Sequence, residues 1–493
     1  MTCDFEKSPV YGLKPELFWK HFFEITQVPR PSKHEEKIRE YLVNFAKSKS
    51  LDYTVDKIGN VIIRKPASKG YENVPGVILQ GHMDMVCEKV GDKEFDFMTQ
   101  PLELVREGNI IRANGTTLGS DNGAGVCAGL AVLEDDSIEH PALECFFTVD
   151  EETGMTGAKN LEPGLLKGKY LLNLDSEDED IMFIGCAGGI DTFLEFIPEW
   201  KEDCKTCENA GVKITVKGLK GGHSGMEINE GRANALKLIA RFLFNLRKVE
   251  DVKFKISSII GGNKHNAIPR EAEAIICTHD FEKVKAEAEK WQKVFAEEFK
   301  YVENGIEIVV EQTDKLEKVM TKESADKLLN TIWAIPHGVI RMDRAVKDLV
   351  ETSTNLAILS KEGDNFKFEM SHRSSYESVK RAVCNRTEAL GNLIGLKYSE
   401  DEGYPAWQPN FDSKLLKVAK KAYKDSIGKD IIVTVIHAGL ECGIIMEKYP
   451  GMEAVSFGPT LRNVHTPDEH IEIESVEHFF KFLVQLLKDM KNI

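Results

Sequence analysis

The run VILQGHMDMVCEK, residues 77–89, ends an apolar stretch with an imidazole and a carboxylate, His82 and Asp84. The arrangement recurs downstream. LECFFTVD is followed by Glu151 and Glu152, KYLLNLD ends in Asp175, Asp121 sits in LGSDNGAG, and EAVSFGP leads into NVHTPDE with His465. A set of two histidines and three carboxylates, with no thiolate, suits zinc or another borderline divalent ion bound through N and O. Such a set is too large for one catalytic zinc with an open position. It suits two ions about 3.5–4 Å apart that share a bridging carboxylate. A further carboxylate next to a ligand can act as general base, and one beside His82 can orient that imidazole.

Taken singly, each motif has an ordinary explanation. His-x-Asp is a common turn or surface pair, paired glutamates after a strand make a solvated corner, and Asp-Asn-Gly is a good turn sequence. The glycines of LGSDNGAG and GCAGG lack the GxGxxG spacing of a dinucleotide loop. Their shared placement at strand ends is what argues for a site, because ligands of open α/β sheets gather outside the carboxyl ends of the strands.

The elements that would position these residues are legible in outline. Residues 14–48 read as two helices, with Ile38, Tyr41, Leu42 and Phe45 on one stripe. NVIIRK, GVILQ, LECFFTVD and KYLLNLD read as strands, and GAGVCAGLAVLEDD between the second and third as a buried helix. Continuous apolar strands alternating with helices imply an α/β fold, with a parallel or mixed sheet between helices. Near CAGGI (186–190) the style changes to α+β. VKITVKGLKGGHSG, FKISSIIGG and EAEAIICTH read as strands, GRANALKLIARFLFNL as a helix, 281–300 and 322–350 as charged amphipathic helices, and FKFEMSHRSS as a last strand. The α/β style returns near residue 400 with DIIVTVIHAGLECG. The expected division is 1–187 and 400–493 for one α/β domain, with 188–399 an inserted α+β domain.

At 493 residues the chain exceeds one ordinary core, and a net charge of -16 argues against a nucleic-acid partner. No run approaches the ~18 apolar residues of a spanning helix, so no membrane partner is expected, and the N-terminus lacks a secretory pattern. Ten cysteines are too sparse for a disulfide scaffold. Cys127, Cys145 and Cys277 read as buried thiols of a reducing, cytosolic compartment, and Cys204 and Cys207, a lone CxxC, as loop thiols.

The ordered series GHMDMV, LGSDNGAG, DEETGMTGA, NLDSED, GGHSG and HTPDE resembles the co-catalytic zinc dipeptidases. Within them it is similar to the aminoacyl-histidine, or cytosol non-specific, dipeptidases related to carnosinase, from near residue 14 to the C-terminus. The resemblance implies a metallopeptidase catalytic domain and an inserted lid and dimerisation domain. It implies two divalent ions, zinc first and manganese or cobalt as alternatives, bridged by Asp121. His82 and Asp175 would complete one site, Glu152 and His465 the other. Glu151 would be the general base and Asp84 the group that orients His82. His223 would stabilise the oxyanion, reaching the site of a two-fold-related partner. Asn266 in HNAIPR and Arg373 in SHRSS would hold the substrate, with His437 and Glu441 in IHAGLECG as further candidate contacts. The peptide between Asp121 and Asn122 would be cis. The expected activity is hydrolysis of dipeptides, Xaa-His and broader, including carnosine-like ones. The alternatives are a related di-metal deacylase or desuccinylase and a non-catalytic dimeric binding protein.

Overall fold

Val77–His82 and Leu143–Thr148 are buried along their whole length, the condition of strands covered on both faces. In the computed structural model, which describes residues 4–201, 211–250, 252–344 and 346–493, they pair in parallel, His82 opposite Thr148. Tyr170–Asn173 joins Val77–His82 in parallel, and Glu453–Ser456 joins Tyr170–Asn173 in parallel. These are the central strands of an eight-stranded sheet, flanked by Asp52–Val55 and Val61–Lys65 on one side and Ile181–Cys186 and Ile432–Ile436 on the other. The antiparallel flanks make the sheet mixed. The parallel register brings the carboxyl ends of the central strands to one edge.

Helix Ser120–Glu134 is buried from Asn122 to Leu133. Its small residues permit this, since a Cβ on Gly129 would meet the Phe147 ring at 3.2 Å. Helices Glu16–Thr26 and Glu36–Ser48 occupy the region read as two helices.

The chain divides into two compact units. The first holds the chain up to Cys186 with Trp407–Val435 and Leu440–Ile493, and the second holds Ala187–Ala406 with Ile436–Gly439. The second unit is built on a nine-stranded antiparallel sheet. Helix Ala235–Leu246 buries Leu236, Ile239, Phe242 and Leu243 in its core with Ile214, Ile256, Ile276 and Phe368.

Three readings need correction. The helix read over 322–350 ends at Ala334, and Gly338–Met342 is a strand. Pro336 explains this, because the residue before proline is driven out of helical geometry, and Ile335 has ψ 127°. FKFEMSHRSS forms Asn365–Ser374, but it is not the last strand of its sheet, since Lys397–Glu400 follows and pairs with Gly188–Phe196. Cys277 is disulfide-bonded rather than a free thiol, whereas Cys127 and Cys145 are free and buried. Cys204 and Cys207 lie outside the described residues. Among the described residues no helix is long and apolar enough to cross a membrane.

Candidate metal centre

In the first unit the strand ends deliver their polar residues to one place. His82 closes Val77–His82 and is 1% exposed. Its Nε2 lies 3.1 Å from Asp121 Oδ1 and 3.4 Å from Asp175 Oδ1, just past Tyr170–Asn173. The other oxygen, Asp121 Oδ2, lies 3.1 Å from His465 Nε2, which is 3.0 Å from Glu152 Oε2. His82, Asp121 and Asp175 form one potential ligand triad, and Asp121, Glu152 and His465 another, with Asp121 common to both. His465 reaches its position with φ 63°, uncommon for a residue with a side chain.

The electrostatics are those of crowded carboxylates. Burial pushes Glu152 up to about 7 and Asp175 to about 6, with Asp121 adding to both. Burial likewise lifts Glu151 well above its usual range, against the pull of His82 and with Asp175 and Glu152 adding. Burial opposes charge on His465 too, but Asp121 and Glu152 outweigh it and raise the imidazole to about 11. Burial also disfavours ionised Asp121, yet His465 and His82 overcome it and hold the carboxyl below its usual range.

A divalent cation would relieve this crowding, and the residues fit one. Ligands about 2.0–2.1 Å from a tetrahedral ion stand about 3.3 Å apart, close to the 3.0–3.4 Å separations within the triads. Glu152 Oε1 is buried with no hydrogen-bond partner among the described residues, an orphan that a cation would satisfy. The donors are imidazole nitrogens and carboxylate oxygens only.

Asp84, fully buried, organises the surroundings. Its Oδ1 is 3.3 Å from His82 Nδ1 and accepts the Glu151 N–H at 3.1 Å. Its Oδ2 accepts the Ser32 hydroxyl at 2.8 Å and the Glu152 N–H at 3.3 Å. The Asp121–Asn122 peptide is cis. Asn122 Nδ2 donates to the Leu174 carbonyl at 2.7 Å, tying the Asp121 loop to the strand end that carries Asp175.

Glu441 belongs to the first unit and is fully buried. It accepts Gln80 Nε2 at 2.5 Å and the Thr148 hydroxyl at 2.7 Å. Gln80 in turn accepts Asn173 Nδ2 at 2.5 Å, and Asn173 accepts the Ser456 hydroxyl. This polar layer links all four central strands immediately before their working ends.

The remaining candidates lie in the second unit and converge around Gly225. A Cβ there would stand 3.1 Å from His223 Cε1, 3.2 Å from Arg373 Nε and 2.3 Å from the His437 carbonyl. His223 Nδ1 accepts the N–H groups of Gly225 at 3.3 Å and Met226 at 3.1 Å, so the neutral ring carries its proton on Nε2. The Asn266 carbonyl accepts the Ser224 N–H at 2.8 Å, which ties the Asn266 segment to the His223 turn. Arg373 is 7% exposed and donates from Nη1 to the Tyr404 hydroxyl at 2.7 Å, while its Nε is buried without a partner among the described residues. His437 Nε2 is 2.8 Å from the Ser353 hydroxyl, and burial with Arg373 nearby lowers its pKa to about 3.

The sequence leaves several neighbours unmarked. Tyr404 and Ser353 carry no motif. Glu177, which burial and Asp121 push up to about 8, stands two residues after Asp175 in NLDSED. Glu469, in HTPDE itself, was visible as an acid near a ligand, but its partners are some 350 residues away.

The model of peptidase family M20/M25/M40 matches residues 78–489. Cytosol non-specific dipeptidase of Escherichia coli (strain K12) is 38% identical over 488 residues, 98% of this chain and 99% of the relative. The crystal structure of aminoacylhistidine dipeptidase from Vibrio alginolyticus shares 37% identity and covers 98% of both chains with a TM-score of 0.81. Human carnosine dipeptidase 1, at 11% identity and a TM-score of 0.52 over 97% of this chain and 96% of that one, shares the fold.

Proposed function

The chain belongs to peptidase family M20/M25/M40, and from that premise we propose that it is a cytoplasmic, homodimeric dipeptidase that cleaves Xaa-His and other dipeptides. The observation that carries the reading is the pair of triads sharing Asp121. His82, Asp121 and Asp175 would hold one divalent ion and Asp121, Glu152 and His465 a second, zinc first, with manganese or cobalt as alternatives. Bound there, two such ions would supply Lewis-acid polarisation of the scissile carbonyl and would lower the pKa of a water towards neutrality.

The chain's own groups do the rest. Glu151 Oε takes the water's proton and returns it to the leaving amine. Asp84 fixes the ring of His82 through Nδ1, and so the direction of Nε2. His223, with its proton on Nε2, donates to the developing oxyanion, a contribution often worth about 3–4 kcal/mol. In keeping with the family resemblance, it would reach the site of the partner protomer, with the second unit as lid and dimerisation domain. The Arg373 guanidinium, with its unpartnered Nε, matches a free carboxylate and favours substrates that end one residue after the cleaved bond. Asn266 and His437 complete the substrate contacts. Glu441, as a proposed contact, would act from beneath the strand ends, through Gln80 and Thr148.

A panel of Xaa-His, β-alanyl and other dipeptides beside N-acyl amino acids, run on metal-reconstituted protein, tests the proposal. Turnover confined to N-acyl amino acids would overturn it in favour of a deacylase.

A further inference from the structure

The loop Leu118–Asp121 carries the carboxylate common to both triads, and two buried, opposite charges grip it from different sides. Glu469 is 2% exposed. Its Oε2 accepts the N–H of Leu118 at 2.7 Å and of Gly119 at 3.0 Å. Its Oε1 accepts the N–H and the hydroxyl of Ser120, both at 2.7 Å, and the N–H of Asp121 at 3.3 Å. Arg30, also 2% exposed, donates from Nη2 to the Gly119 carbonyl. From Nη1 it donates to the carbonyls of Met83 at 3.2 Å and Asp84 at 2.9 Å.

Gly119 is therefore held at its N–H by the carboxylate and at its carbonyl by the guanidinium. Only glycine fits, because φ is 66° and a Cβ would stand 2.5 Å from Arg30 Nη2 and 2.8 Å from Met85 Sδ. The two charges also connect the ligand-bearing segments. Arg30 ties the His82–Asp84 strand end to the Asp121 loop, and Glu469 ties that loop to the segment of His465, four residues upstream. Burying ions is costly, and apolar packing stabilises a fold as well or better. Charges spent on one loop therefore point to a demand for position.

We propose that Glu469 and Arg30 are positioning residues for Asp121, fixing its two oxygens so that both triads close on an ion at once. The proposal rests on the reading that the triads hold two divalent ions.

The test is titration of Zn²⁺ or Co²⁺ into chelator-stripped full-length protein, comparing wild type with Glu469→Gln and Arg30→Lys. Melting of the metal-free forms, the absorption spectrum of the cobalt forms, and kcat and KM are measured alongside. Wild type is expected to take two ions per chain. Both variants are expected to melt within a few degrees of wild type when metal-free, yet to bind metal about 10–100-fold more weakly. Their cobalt spectra should be altered and kcat should fall, with KM roughly unchanged. Wild-type affinity and spectrum in Glu469→Gln overturn the proposal. If that variant does not fold, Ser120→Ala, which removes one hydroxyl donor to Glu469, decides. A few-fold loss of affinity supports the proposal and an unchanged affinity overturns it. Wild-type protein that takes fewer than two ions overturns the two-ion premise instead, and the proposal with it.

Discussion

The carboxylate of Asp84 accepts the backbone N–H of Glu151 at 3.1 Å while its same oxygen stands 3.3 Å from His82 Nδ1. One buried group thus lies against the ring of a proposed ligand and accepts the first two N–H groups of the short helix Glu151–Gly154. Neighbours in sequence are thereby given different surroundings. Glu152 Oε2 faces His465 at 3.0 Å, whereas Glu151 makes no ion pair among the described residues.

The two glutamates should therefore fail differently. Glu151→Gln keeps the side chain's size but removes proton acceptance, and turnover should fall by about 10²–10⁴-fold with both ions retained. Glu152→Gln should lose or weaken one ion. Kinetics paired with metal content per chain checks this, and identical behaviour of the two variants would show that the roles are misassigned.

Metal removal should abolish activity, and zinc, manganese or cobalt should restore it. Because each ion binds the folded chain, stability should rise by about 2.7 kcal/mol per ion at a free metal concentration 100 times its Kd. Denaturant melts at rising free metal measure this. Full turnover in metal-free protein would contradict the proposed mechanism.

Substitution of Arg373 should be felt through the substrate's carboxylate. Arg373→Met is expected to cost about 2–5 kcal/mol in kcat/KM for free dipeptides, and much less for dipeptide amides, which lack the charge. An equal loss on both substrates would assign Arg373 a structural role with Tyr404.

Subunit mixing tests the proposed reach of His223. Glu151→Gln and His223→Ala homodimers should each be nearly inactive. In a mixed dimer one site has both Glu151 and a partner's His223, so random exchange should return roughly a quarter of wild-type activity. No recovery, with exchange verified, would place His223 in its own protomer's site or outside catalysis.

His21 gives a pH prediction away from the metal centre. Burial disfavours its charge, but Glu134 at 2.9 Å and Glu24 at 3.4 Å outweigh this and raise its pKa. A raised folded pKa means that the contribution is complete below the unfolded value of about 6.5 and fades as pH rises through the folded one. The melting-temperature gap between wild type and His21→Gln should narrow from pH 6 upwards. A constant gap would assign His21 a packing role.

Strand ends were legible because burial on both faces leaves a continuous apolar signature, and a polar residue that interrupts it, as at His82 or Asp175, stands out. The helix Lys322–Ala334 looks longer in the sequence because charged residues continue past its end, whereas Pro336 stops it. The work of Glu441 was hidden for a different reason. It follows a strand like the ligands, yet its partners Gln80 and Thr148 sit on other strands, and nothing local marks a side chain that turns inward.

The candidate donors, N and O without sulfur, and the strand ends that bear them can be read from the sequence alone, since residue types and hydrophobic period are local properties. Which of these candidate donors face one another is set by tertiary packing. That Asp121 faces His82 with one oxygen and His465 with the other depends on pairings across 39 and 344 residues. It also depends on Glu469 and Arg30 holding the Gly119 peptide between them. Such contacts arise when distant segments are packed to the same sheet edge, and no periodicity within any one segment encodes them.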